Sequence, residues 1–189
     1  MKTQTTLIVI ALAAAFAAVW APRTMAAPPR GDDPTLSFQD PASGLIAAVR
    51  DASRKYQNVV TALHDGYGRF LGCVSGPMAG AMGNHYANGN YVADGVLDPQ
   101  HPEVLVYEPG AHGQLRLVAV EYVVLADQWN ASHDSVPPVL MGQSLDFTGM
   151  PNRYGLPAFY SIHVWAWKHN PMGAFSMWNP LVSCNQATG

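Results

Sequence analysis

A histidine, His163, stands inside the strand-like stretch YSIHVWAWKHNP that begins at Tyr160, flanked by Ile162 and Val164. At a period of two, its face carries Ser161, Trp165 and Trp167, while Ile162, Val164 and Ala166 occupy the other. A carboxylate is placed in the same way. In LRLVAVEYVVLA, residues 115–126, Glu121 shares a face with Leu117, Ala119 and Val123, opposite Val118, Val120 and Tyr122. A carboxylate among such neighbours must be paired, metal-bound or protonated, because burying a lone charge is costly. The chain holds only three glutamates, Glu103, Glu108 and Glu121, so this placement is not surface scatter. A buried neutral imidazole needs partners for both nitrogens, and carboxylates and metals serve best. His85, in GNHYAN, completes a two-His, one-carboxylate set of the kind that holds zinc, iron or manganese with coordination positions left open.

The three residues are far apart in sequence, and no H-E-x-x-H or C-x-x-C spacing joins them. Three arrangements fit: a metal site, a hydrogen-bonded Glu121–His163 pair with His85 capping a loop, and a metal-free catalytic or ligand-contacting pair. Glu108, ending VYEPG, is a candidate fourth ligand or a solvated edge residue, and Tyr86 and Tyr122 are candidate proton or hydrogen-bond donors. Met78 and Met82 lie near His85, and thioethers with imidazole suit copper, although methionines also fill gaps. Trp165 and Trp167, with Trp129 and Trp178, either contact a small molecule, glycan or cell-envelope partner, as in a non-enzymatic binding module with a metal-free His/Glu pair, or pack in the core. Ser75 lacks the G-x-S-x-G frame of a hydrolase nucleophile. His64, His101, His112, His133 and His169 adjoin turn residues and read as exposed, and Asn130 opens a glycosylation sequon.

The elements that must position these groups follow from spacing. Asp40-Pro41 opens a helix, with Asp as N-cap and Pro at the first helical position. Apolar residues at Leu45, Ile46, Val49, Ala52, Tyr56, Val59, Val60 and Leu63 continue it on one face, and Gly66 closes it. Residues 72–90 (GCVSGPMAGAMGNHYANGN) are small and Gly-rich, running either close to other backbone or irregularly along the surface. Strands are predicted over 103–108, 115–126, 139–147 and 159–168, with a polar connection over 127–137. Hairpin-length connections favour antiparallel pairing. The predicted class is α+β: one domain over 40–189, its helix packed on a mostly antiparallel sheet that curls toward an open barrel.

Residues 1–26 have the form of an export signal, with Lys2 before the apolar run Leu7–Trp20 and a cleavage point after Ala26. Retained, the same segment would be an N-terminal anchor. Residues 27–39 form a polar, Pro-rich lead-in. The mature chain is expected to be secreted or periplasmic, without membrane insertion once the signal is cleaved. Cleavage leaves eight Lys/Arg against 13 Asp/Glu, a formal charge of −5 with no basic patch, which disfavours nucleic acid as a partner. Cys73 and Cys184, an even pair in an exported chain, read as one disulfide.

The strings CVSGPMAGAMGNHYAN, DGVLDPQHPEVLVYEP, LRLVAVEYVV and PNRYGLPAFYSIHVWAWKHNPMGAFSMWNPLVSC together resemble a family of exported bacterial proteins of unassigned function. Cys73, His85, Tyr86, Glu108, Glu121, Tyr122, His163, Trp165, Asn170, Asn179 and Cys184 carry the resemblance, which spans about residues 66–184. It implies a single exported domain and no particular activity. Asn88-Gly89 departs from the Asn-Pro expected at that turn.

Overall fold

Helical spacing after Pro41 does produce a helix, but not a continuous one. In the computed structural model, which describes residues 41–186, α1 (Pro41–Ser53) passes through a 3₁₀ turn (Arg54–Gln57) into α2 (Val59–His64). Asn58 breaks the run: its backbone is extended, and its side chain accepts from the Val60 N–H at 2.9 Å, capping α2. Leu45 and Val49 are fully buried, and Gly66 follows α2 in the left-handed region at φ 92°. The expected export signal, lead-in and Asp40 cap lie outside the described residues.

Six strands form one antiparallel sheet in the order β1-β2-β3-β4-β8-β7, curled into a half-barrel. They are β1 (Tyr67–Gly76), β2 (Gly80–Asn88), β3 (Val104–Pro109), β4 (Leu115–Leu125), β7 (Asp146–Thr148) and β8 (Phe159–Val164). A two-stranded hairpin, β5 (Val139–Leu140) with β6 (Gln143–Ser144), stands apart from it. The single strand expected over 139–147 is thus three short pieces. Met141 and Gly142, both at positive φ, turn the chain between the first two.

One further segment differs from expectation, and another takes one of its two expected courses. Half of the polar connection is a helix, α4 (Ala126–Ser132), and the Gly-rich stretch takes the first of its two expected courses, close to other backbone, as the β1–β2 hairpin. Its glycines are needed there for close backbone approach. A Cβ on Gly80 would meet the Asn179 carbonyl oxygen at 2.2 Å, and one on Gly83 the Tyr107 oxygen at 2.6 Å. At the end of β2, Asn88 caps α3 (Gly89–Asp94), so Gly89 holds a first helical position, one that proline also suits.

Each face of the sheet carries its own core. One packs Tyr67, Tyr107 and Tyr122 with Leu45 and Val49 of α1; their phenols donate to the carbonyls of Pro102, Tyr56 and Pro99. The other packs Val106, Val118, Ala119 and Trp165 against the C-terminal tail at Val182 and Cys184. Asn179 anchors that tail: it exchanges backbone hydrogen bonds with Ala81, and its side chain joins His169 to Leu181. The Cys73–Cys184 disulfide ties the tail to β1, and among the described residues no helix is long and apolar enough to cross a membrane.

One buried acid lies outside the candidate site. Glu103, at the entrance to β3, accepts from the Val123 N–H at 3.0 Å, and burial pushes its carboxyl up to about 8. Because the folded value lies above the unfolded one near 4.5, the native state retains a proton that the unfolded chain has released. This contribution to stability is complete below the unfolded value and is lost as pH rises through about 8. Glu103→Gln keeps an acceptor for Val123 but removes the titration. Denaturant curves of this variant at several pH values are expected to show a flatter fall between pH 5 and 9 than wild type; an unchanged slope would assign the fall to another group.

Candidate metal centre

Strand register brings the central pair together. Glu121 of β4 lies directly opposite His163 of β8, and Val104 of β3 lies opposite Glu121 on its other side. His85 reaches the same face from β2, where it pairs with Val106, two residues along from the Val104 position. Its side chain crosses β3 to the carboxylate. His85 Nε2 is 3.8 Å from Glu121 Oε2, and His163 Nδ1 is 3.8 Å from Glu121 Oε1. The two imidazole rings stand 5.9 Å apart at 88°. One ligand atom from each side chain lies within 4.8 Å of the other two, so the group is able to hold a metal ion.

These separations bear on the arrangement of the three groups. At 3.8 Å the contacts exceed the ~3.2 Å limit of an N–H···O hydrogen bond, so neither histidine is directly bonded to the carboxylate. Two ligands at about 2.0–2.2 Å from one tetrahedral ion sit roughly 3.3–3.6 Å apart, close to the two 3.8 Å separations, and the whole set lies within 4.8 Å. The nitrogens other than those nearest Glu121 are also buried: His163 Nε2 has no hydrogen-bond partner among the described residues, and the Gly83 backbone lies beside His85.

Electrostatics follow from depth. All three side chains are buried, and burial lowers both histidines to about 4, with the Glu121 charge acting the other way on His85. Burial raises Glu121, against the opposing influence of His85 and Ser161 beside it. Neutral imidazoles are the ligand form, so the fold keeps both histidines ready for a cation at neutral pH. The sign for stability is the reverse of that for Glu103. Folded values near 4 lie below the unfolded 6.5, so this stability is complete above pH 6.5 and is lost as pH falls toward 4. Metal-free protein is expected to lose stability over that window by thermal scan, and His163→Gln to lose less; equal losses would show that His163 does not titrate there.

The group lies in the wall of a cavity of about 240 Å³ on the sheet's second face. Phe70, Met82, Val104, Val123 and Phe159 supply carbon surface, and Tyr154 and Leu156 come from the loop between β7 and β8. That loop is ordered from within. Asn152 accepts from the Tyr154 and Leu156 N–H groups and donates to the Gly149 and Leu156 carbonyls. Arg153 donates to the Ser75 carbonyl at 3.1 Å and lies over the Trp178 ring at 5.6 Å.

The other expected site residues lie elsewhere. Tyr86 and Tyr122 are in the opposite core, because each follows a site residue on a period-two strand. Glu108 is held through both oxygens by Lys168 at 2.7 Å, so it is a salt-bridge partner and not a fourth ligand. Trp165 keeps the site face and stacks at 18° beside His163, but it is buried, with its indole N–H donating to Ser176. Trp167 departs, since β8 ends at Val164; it packs on the first core and donates to Ser53 of α1 at 3.0 Å. Met78 points into solvent, while Met82 lines the cavity. The five histidines read as exposed are exposed. Tyr154 is the tyrosine that lines the cavity, and a polar loop offered no periodicity to mark it.

Compared with family models, curated proteins and solved structures, the chain matches none of them.

Proposed function

We propose that this is an exported protein holding one divalent transition-metal ion on His85, Glu121 and His163. The observation that carries this reading is the convergence of the three buried groups at separations too long for hydrogen bonds and suited to shared ligation. Two imidazoles and one carboxylate, without thiolate, suit zinc, iron(II) or manganese. Copper keeps one of its two candidate thioethers: Met82 lines the cavity, whereas Met78 faces solvent. An ion held by three protein groups retains open positions and supplies Lewis-acid activation of water or of dioxygen. Here those positions would adjoin the cavity. The chain's own residues keep both imidazoles neutral, hold Glu121 between them, and cover the site with the Asn152–Leu156 segment. The disulfide accords with an oxidising compartment, as does the resemblance to exported proteins.

Elemental analysis tests this on protein purified without a histidine tag, as isolated and after exposure to zinc, iron(II), manganese or copper. About one equivalent of metal per chain is expected. A content near zero under every condition would overturn the proposal.

A further inference from the structure

Resting on the metal reading, we infer that the cavity takes a small hydrophobic molecule, single-ringed or short-chained, bearing one monoanionic metal-ligating head. Size sets the first limit. A cavity near 150 Å³ accommodates benzene, and drug-sized ligands occupy roughly 300–1,000 Å³. At about 240 Å³, this cavity fits one ring with a short substituent.

Lining chemistry sets the second. Among the described residues the cavity wall includes no Lys, Arg, Asn, Gln or Trp. Apart from His85, Glu121 and His163, its polar side chains are Thr148, Tyr154 and Ser161, two hydroxyls and a phenol. A sugar would bring more hydroxyls than these can pair, and each left unpaired counts against binding. It would also lack a tryptophan platform: Trp165 and Trp167 are occupied in packing and in donating to Ser176 and Ser53. A phosphate or dicarboxylate would find no cation beyond the metal.

Charge sets the third. A divalent ion on one carboxylate and two neutral imidazoles leaves one positive charge facing carbon surface. One anionic oxygen or sulfur head, such as a carboxylate, phenolate, thiolate or hydroxamate, neutralises it. The rest of the ligand then contacts Val104, Val123, Leu156 and Phe159.

The test uses ¹⁹F NMR titrations of the full mature chain, zinc-loaded and metal-free. Its probes are 4-fluorobenzohydroxamate, 4-fluorotoluene and a fluorinated methyl glucoside. Zinc-loaded protein is expected to bind the hydroxamate at least about tenfold more tightly than 4-fluorotoluene, and metal removal to abolish that advantage. Two variants reduce the cavity at positions other than the three ligands: Ala87→Phe on β2 and Val92→Trp, at a half-buried position of α3. In each, both aromatic probes should weaken at least about tenfold with metal content unchanged. One folded variant suffices. Tighter binding of the glucoside, no binding of either aromatic probe, or unchanged binding in the variants would overturn the ligand class. If the protein takes up no metal but 4-fluorotoluene binds and is displaced by Ala87→Phe, the head-group assignment falls with the metal reading and the apolar half stands.

Discussion

Glu121→Gln is expected to weaken metal binding by at least about 100-fold while leaving the metal-free protein as stable as wild type or more so. Loss of an outer partner that merely orients a ligand costs about 10–100-fold, so loss of the one anionic ligand should exceed that range. The stability half rests on burial. Glu121 is enclosed, its ionised form is disfavoured, and it makes no direct hydrogen bond to either histidine. A neutral isostere of the same volume removes that desolvation without opening a hole. Isothermal titration with zinc and denaturant curves of metal-free protein measure both halves. A variant that binds zinc normally, or that loses several kcal/mol without metal, would show Glu121 to be a structural partner instead.

The second large effect concerns the covalent tie. Replacing Cys73 and Cys184 together by serine is expected to cost about 4–5 kcal/mol, because the bridge closes a loop with a sequence separation of 111. For a domain of this size that is a fall in melting temperature of roughly 10–20 °C. The tail it secures supplies Val182 and Cys184 to the core on the site's face, and Trp165 of that core stacks beside His163. Zinc affinity should therefore fall in the double variant even under conditions where it remains folded. A loss below about 1 kcal/mol would mean that Asn179 and its backbone pairing with Ala81 hold the tail without help.

Legibility in the sequence follows the range of the interactions involved. The alternation around Glu121 and His163 is local, so it was readable, and the register that sets them opposite one another agrees with it. Parity failed at Leu117. A bulge at Val118, where Val106 pairs with Ala119 and Tyr107 with Leu117, turns Val118 to the site face and Leu117 to the other. His85 was readable as a residue and not as part of a strand, because its small neighbours are chosen for backbone clearance and carry no apolar alternation. Trp167 was misplaced because a strand end lacks a sequence mark when the following residues remain aromatic. Glu103 passed unnoticed at a strand entrance, where a carboxylate usually meets water; here it meets the Val123 N–H. Tyr154 and Leu156 reach the cavity through a loop whose path depends on Asn152 and Arg153, and no local pattern foretells that. The α+β class and the antiparallel sheet needed only element types and connection lengths, and both stand.

The central claim is that His85, Glu121 and His163 share one ion. X-ray absorption at the zinc edge of protein loaded with one equivalent reads that shell directly. Two imidazoles and oxygen ligands at about 2.0–2.1 Å are expected, with the imidazole multiple-scattering signal reduced in His85→Ala and again in His163→Ala. An all-oxygen shell, or an imidazole signal unchanged in both variants, would place the zinc elsewhere and contradict the account.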